Sequence, residues 1–104
     1  MKTDQTHALV MRRESSPTVE IDTEAAAAYV RFRSGKVART VRHRSKWPIV
    51  TIDLDAEGEV IGAEFVGVKR FDLAYLLKQV PLKASARSIA RASYVAAEAD
   101  PVMT

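Results

Sequence analysis

Asp53, Asp55 and Glu57, followed by Gly58 and Glu64, reproduce the spacing of a calcium-binding loop: oxygen ligands at positions 1, 3 and 5, glycine at 6 and glutamate at 12. A loop of that kind sits between two helices. Here Ile49-Val50-Thr51-Ile52 precedes it and Val60-Ile61 lies inside it, and both stretches have strand composition. A charged hairpin turn is therefore expected, and no metal site is assigned. Asp53 and Asp55 stand two apart on a strand and so share a face, where paired carboxylates can share a proton or hold a metal. Arg39 or Arg42 on the adjoining strand is the competing partner. His7 and His43 are the only histidines, neither has a motif partner, and the chain has no cysteine. No nucleophile, base and orienting group come together, and no glycine-rich loop cradles a phosphate, so no catalytic residue is assigned and no cofactor is expected.

The basic residues give a second chemistry. Residues 31–46 hold Arg31, Arg33, Lys36, Arg39, Arg42, Arg44 and Lys46 with no acid, a local charge of +7, and residues 53–64 hold five acids with no base, in a chain of net charge +3. Arg39, Arg42, Arg44 and Lys46 beside Trp47 have the ingredients of a nucleic-acid site, phosphate contacts and one stacking surface. Lys83, Arg87 and Arg91, spaced by four, would form a further stripe on one helix face. The competing reading is cross-strand ion pairing and a solvated helix, because phosphate contacts alone read no sequence.

These side chains must be carried by one domain, since 104 residues build a single hydrophobic core. With 47% apolar and 28% charged residues the composition is that of a folded globular chain. The absence of cysteine suits a cytoplasmic protein, and the longest apolar run, Ala25–Val30, is far too short to span a membrane. Residues 1–18 read as a flexible arm or a loose extra strand, and residues 19–104 as a single α+β domain, sheet over 19–67 and helical over 71–98. Short β-branched runs at Val19–Asp22, Ala27–Arg33, Lys36–Arg44, Pro48–Leu54 and Glu59–Val66 predict an antiparallel β-meander of four to five strands. Ser34-Gly35 is a hairpin signal, and Asp55-Ala56-Glu57-Gly58 suits a type I turn with Gly58 left-handed. Asp72 caps a helix from Leu73 to Val80, and an alanine-rich helix is expected over Lys83–Glu98, so one or two C-terminal helices follow the sheet.

Pairing Leu54 with Val60 sorts the hairpin into Val50, Ile52, Leu54, Val60 and Val66 on one face and Ile49, Thr51, Asp53, Ile61 and Phe65 on the other. Both faces then carry large apolar residues. Helices cover one, and the other calls for a second copy, with Ile49, Ile61, Phe65 and Ile89 as the interaction surface. A monomer whose arm and last helix cover both faces is the alternative.

Asp22, Glu24, Ala25, Ala27, Tyr29, Arg31, Gly35, Val37, Ala38, Arg39, Thr40, Asp53, Asp55, Gly58, Gly62 and Glu64 fall in a recurring pattern. Through them Val19–Gly67 resembles a prokaryotic family known as domain of unknown function 2283. Ile21 stands where that pattern has Tyr, and Ala26 where it has Asp. The resemblance implies a small sheet with a helical appendage, no reaction, and a link to toxin-like neighbours. The combined expectation is a non-enzymatic, homodimeric interaction module, antitoxin-like in binding a protein partner. The alternative is a nucleic-acid-binding protein using residues 31–46.

Overall fold

The computed structural model describes residues 16–43, 47–80 and 82–97. The arm expected over residues 1–18 lies outside them except for its last three residues, and Thr18 already belongs to the first strand. In chain order the elements are β1 (Thr18–Asp22), β2 (Ala27–Arg31), β3 (Arg39–His43), β4 (Ile49–Leu54), β5 (Val60–Val66), α1 (Leu73–Leu77), α2 (Ala86–Ala90) and β6 (Ser93–Ala96). They form one six-stranded mixed sheet in the order β3-β4-β5-β2-β1-β6, with two five-residue helices. The expected fold, a four-to-five-strand antiparallel meander followed by C-terminal helices, is therefore corrected on two counts.

The first concerns β2 and β3, which are not neighbours: β2 pairs with β5, and β3 pairs with β4 at the far edge. Ser34-Gly35 is not a hairpin turn because the chain on both sides of it is already bound elsewhere. The Phe32 and Arg33 amides both donate to the Ile61 carbonyl, at 2.8 and 3.4 Å, and the Ala38 amide donates to Leu54 at 2.8 Å. Phe32 is buried in the core, so residues 32–38 are drawn across the end of the β4–β5 hairpin. β2 to β5 thus have Greek-key connectivity, a three-strand meander whose last strand returns beside β2.

The second lies at the C terminus. The helix expected over Lys83–Glu98 is limited to Ala86–Ala90, started by the Ser85 hydroxyl accepting from the Ser88 amide. Ser93-Tyr94-Val95-Ala96 then runs parallel to β1 as an edge strand. Aromatic and β-branched side chains at 94 and 95 suit a strand, and the exposed backbone of β1 supplies hydrogen bonds. Helix α1 begins at Leu73 as predicted, with Asp72 accepting from the Tyr75 amide, but ends at Leu77, short of Val80.

A register break fixes the faces. Asp53 pairs with Gly62 and Leu54 with Val60, leaving Ile61 as an extra residue on β5. The expected Leu54–Val60 pairing is present, and Gly58 is left-handed at φ 82°. Because of the extra residue, however, Phe65 and Ala63 join Val50, Ile52, Val30 and Val19 on the core face. Leu73, Leu76, Leu77, Val80 and Leu82 cover that face on the way to β6. Each such aliphatic burial stabilises by about 1.5–3 kcal/mol. The opposite, open face carries Ile49, Thr51, Asp53, Gly62, Glu64 and Val66, so of the two-sided apolarity from which the dimer was inferred only the Ile49–Val66 pair is left on that face of the hairpin.

Candidate functional site

The open face gathers the side chains with chemistry. Arg31, Gly62, Asp53 and Thr40 lie level across four strands, and Tyr29, Glu64, Thr51 and Arg42 form the adjoining row. Tyr29 crosses between the rows. Its hydroxyl donates to Asp53 Oδ2 at 2.7 Å, while Thr40 Oγ1 donates to Asp53 Oδ1 at 2.6 Å. The ring passes over Gly62, where a Cβ would collide with the Tyr29 hydroxyl and lie 2.7 Å from the Val30 carbonyl oxygen. Glycine is required here for close approach. The Arg31 guanidinium lies 5.1 Å from the Tyr29 ring centroid and 3.8 Å from Glu20. A continuous chain therefore runs from Glu20 through Arg31, Tyr29 and Asp53 to Thr40.

That arrangement favours fixed donors over reaction. Burial first, and then the hydrogen bond to Asp53 and its charge, push the Tyr29 phenol far above its ordinary value. At neutral pH it stays a donor and supplies neither base nor nucleophile. The carboxylate of Asp53 is engaged on both oxygens. His43 is on the other face of β3, opposite Val50, with its Nδ1 buried and without a hydrogen-bond partner among the described residues. No group of three His, Cys, Asp or Glu side chains is placed to hold a metal among the described residues.

The calcium-like spacing resolves into a turn. Asp55 Oδ1 accepts from the Glu57 and Glu59 amides, both at 2.9 Å, its Oδ2 accepts from Arg33, and Arg33 also lies 3.4 Å from Glu59. The Glu59 amide foremost, helped by Arg33 and the Glu57 amide, holds the Asp55 carboxyl below the usual carboxylate range against the opposing effect of desolvation. Asp53 and Asp55 thus have separate partners, and neither is the Arg39 or Arg42 expected from sequence. Register sets Arg42 opposite Thr51 and Arg39 opposite Leu54.

The basic residues are dispersed. Arg31 is engaged by Glu20 and the Tyr29 ring, and Arg33 by the hairpin. Arg39 and Arg42 are exposed but point to opposite faces of β3, while Arg44 and Lys46 lie outside the described residues. Trp47 is 64% exposed, its ring against Gly67, whose φ of 94° also favours glycine. Lys83, Arg87 and Arg91 are exposed, but only Arg87 is within α2, so they form no helical stripe.

Of the expected interaction residues, Ile61 and Phe65 are fully buried, and Ile49 and Ile89 are half-buried, Ile89 against the core. The Ile61 bulge accounts for the reversal at Phe65. Tyr94 and Val95, 46% and 45% exposed on β6, were missed because their segment reads as helix. The aromatic–β-branched pair following the Ser85 cap and a short alanine stretch was the available signal.

No family model, no curated protein and no solved structure matches the chain. None of these comparisons supports the resemblance to domain of unknown function 2283 expected from the sequence. Eight residues of the pattern on which it was read, Asp22, Ala27, Tyr29, Arg31, Thr40, Asp53, Gly62 and Glu64, share the open face. No described helix is long and apolar enough to cross a membrane.

Proposed function

We propose that the chain is a non-enzymatic interaction module that self-associates and offers its open face to a protein partner, in the antitoxin-like manner the resemblance implies. The observation that carries this reading is the continuous Glu20–Arg31–Tyr29–Asp53–Thr40 chain. It engages Tyr29, Asp53 and Thr40 with one another, with Arg31 and Glu20 at its outer end, and leaves a polar surface on which Glu64 and Arg42 are exposed. Fixed side chains of this kind support recognition, because little rotamer freedom remains to be lost on binding. Trp47 and Arg42, both exposed at the β3–β4 side, are residue types that anchor protein interfaces.

Those two residues also favour a second reading, nucleic-acid binding, in which Trp47 stacks and Arg39 and Arg42 meet phosphates. Two measurements separate the readings. Sedimentation equilibrium from about 10 µM to 1 mM covers the range of weak, small interfaces and is expected to show reversible self-association. Anisotropy of labelled duplex DNA and single-stranded RNA at about 50 and 200 mM salt is expected to show no binding. Tight binding that falls steeply between the two salts would replace the proposal with the second reading. A monomer throughout would remove self-association.

A further inference from the structure

We infer that the outer edge of β6, which pairs with no other strand among the described residues, is the self-association site, joining two copies by antiparallel β6–β6 pairing about a twofold axis at Val95. The inference rests on the self-association proposed above and specifies its surface.

The backbone supplies the first argument. The Ser93 amide donates to Pro17 at 2.9 Å and the Ala97 amide to Ile21 at 2.8 Å, so these residues face β1. In a parallel ladder, alternate residues turn their N–H and C=O groups the opposite way. Tyr94 and Ala96 therefore present two donors and two acceptors outward. Antiparallel pairing of Tyr94 with Ala96 of a second copy, and the reverse, satisfies all of them in four hydrogen bonds and sets Val95 against Val95. That central pair, on the open face, closes the apolar surface of a side chain that is 45% exposed in one chain.

Comparison of the two sheet edges supplies the second argument. β3, the other edge, carries Arg39 and Arg42, whose self-pairing would crowd like charges. β6 has no charge, no proline and no bulge, and all four of its residues are exposed. It lacks the devices by which sheet edges are kept apart. Hydrogen bonding chooses direction, because only antiparallel pairing lets Tyr94 and Ala96 exchange both of their bonds with the same two residues of a second copy. Twofold symmetry is also the closed arrangement that avoids a filament.

The test uses the full chain. Amide exchange of Tyr94 and Ala96 is followed by NMR as protein rises from about 20 µM to 1 mM, and protection is expected to grow with dimer fraction at these two amides. Val95→Lys, at an exposed position, is expected to abolish self-association with an unchanged circular dichroism spectrum. Val95→Cys, the only thiol in a cysteine-free chain, is expected to give a disulfide-linked dimer. Antiparallel partners at such a site lie about 4.5 Å apart in Cα position, within disulfide reach. Arg42→Cys on the opposite edge is expected to stay unlinked. Self-association that survives Val95→Lys, leaves Tyr94 and Ala96 unprotected, or links Arg42→Cys as fast as Val95→Cys would overturn the β6 site and leave the module reading intact. A wild-type chain monomeric at 1 mM would overturn the β6 site and self-association together.

Discussion

Asp53 was visible in the sequence as an acid near a turn, but its partners were not. Tyr29 is 24 residues away and Thr40 is 13 residues away, and both reach Asp53 only because β2 and β3 lie on either side of the β4–β5 pair. The arginines nearest in sequence were the natural guess, and register excludes them. The Tyr29 hydroxyl bonds a carboxylate in a part-buried setting, so Tyr29→Phe is expected to cost about 1.5–3 kcal/mol, read from urea denaturation at pH 7. The sign of its pH dependence follows from the raised phenol. The contribution is present in full below the unfolded value of about 10 and is lost as pH rises toward the folded one. The stability gap between wild type and Tyr29→Phe should therefore hold at neutral pH and narrow only in strong alkali. A gap below about 0.5 kcal/mol at pH 7 would mean that the hydroxyl is no better served by Asp53 than by water.

At the scale of elements, the β4–β5 hairpin shows how far local signals reach. Asp55, Gly58 and the strand runs on either side define the turn, and the structure has it with the Gly58 amide bonded to the Asp55 carbonyl at 3.0 Å. The extra residue at Ile61 left no clear local mark, since any of the apolar residues beginning β5 could have taken it. Its selection depends on residues 32–38, whose Phe32 and Arg33 amides both use the Ile61 carbonyl. The same loop brings Arg33 to Asp55. Because the folded carboxyl of Asp55 is depressed, its contribution is present above the unfolded value of about 3.9 and is lost as pH falls through the folded one. Asp55→Asn is expected to lower stability at pH 7 and to flatten the acid limb of the stability–pH curve. Parallel wild-type and variant limbs between about pH 5 and 2 would contradict that assignment.

For the whole molecule, the deciding feature is the passage from β5 through α1 and α2 to β6. It places apolar helical residues over one face and delivers Tyr94 beside β1, where the Tyr94 hydroxyl accepts from the Leu73 amide at 2.8 Å and so caps α1. Strand and helix therefore depend on each other across the molecule. Truncation after Ala92 removes both the β6 ladder and this contact. The truncated chain is expected to unfold at lower urea concentration, with faster amide exchange in β1 as well as α1. A loss confined to β1 would separate the two elements.

Residue types alone determined the positions of β1, β2, β4 and β5, the 55–58 turn and the Asp72 cap. Each of these follows from contacts among residues near in sequence, whose preferences the chain carries locally. Only tertiary structure decided that β2 adjoins β5, that Phe65 faces inward and that Ser93–Ala96 is a strand. These outcomes depend on competition between distant backbone partners for the same hydrogen bonds and the same apolar face. Alanine-rich sequence favours helix weakly, by tenths of a kcal/mol per residue, and a ready strand edge at β1 outweighs it.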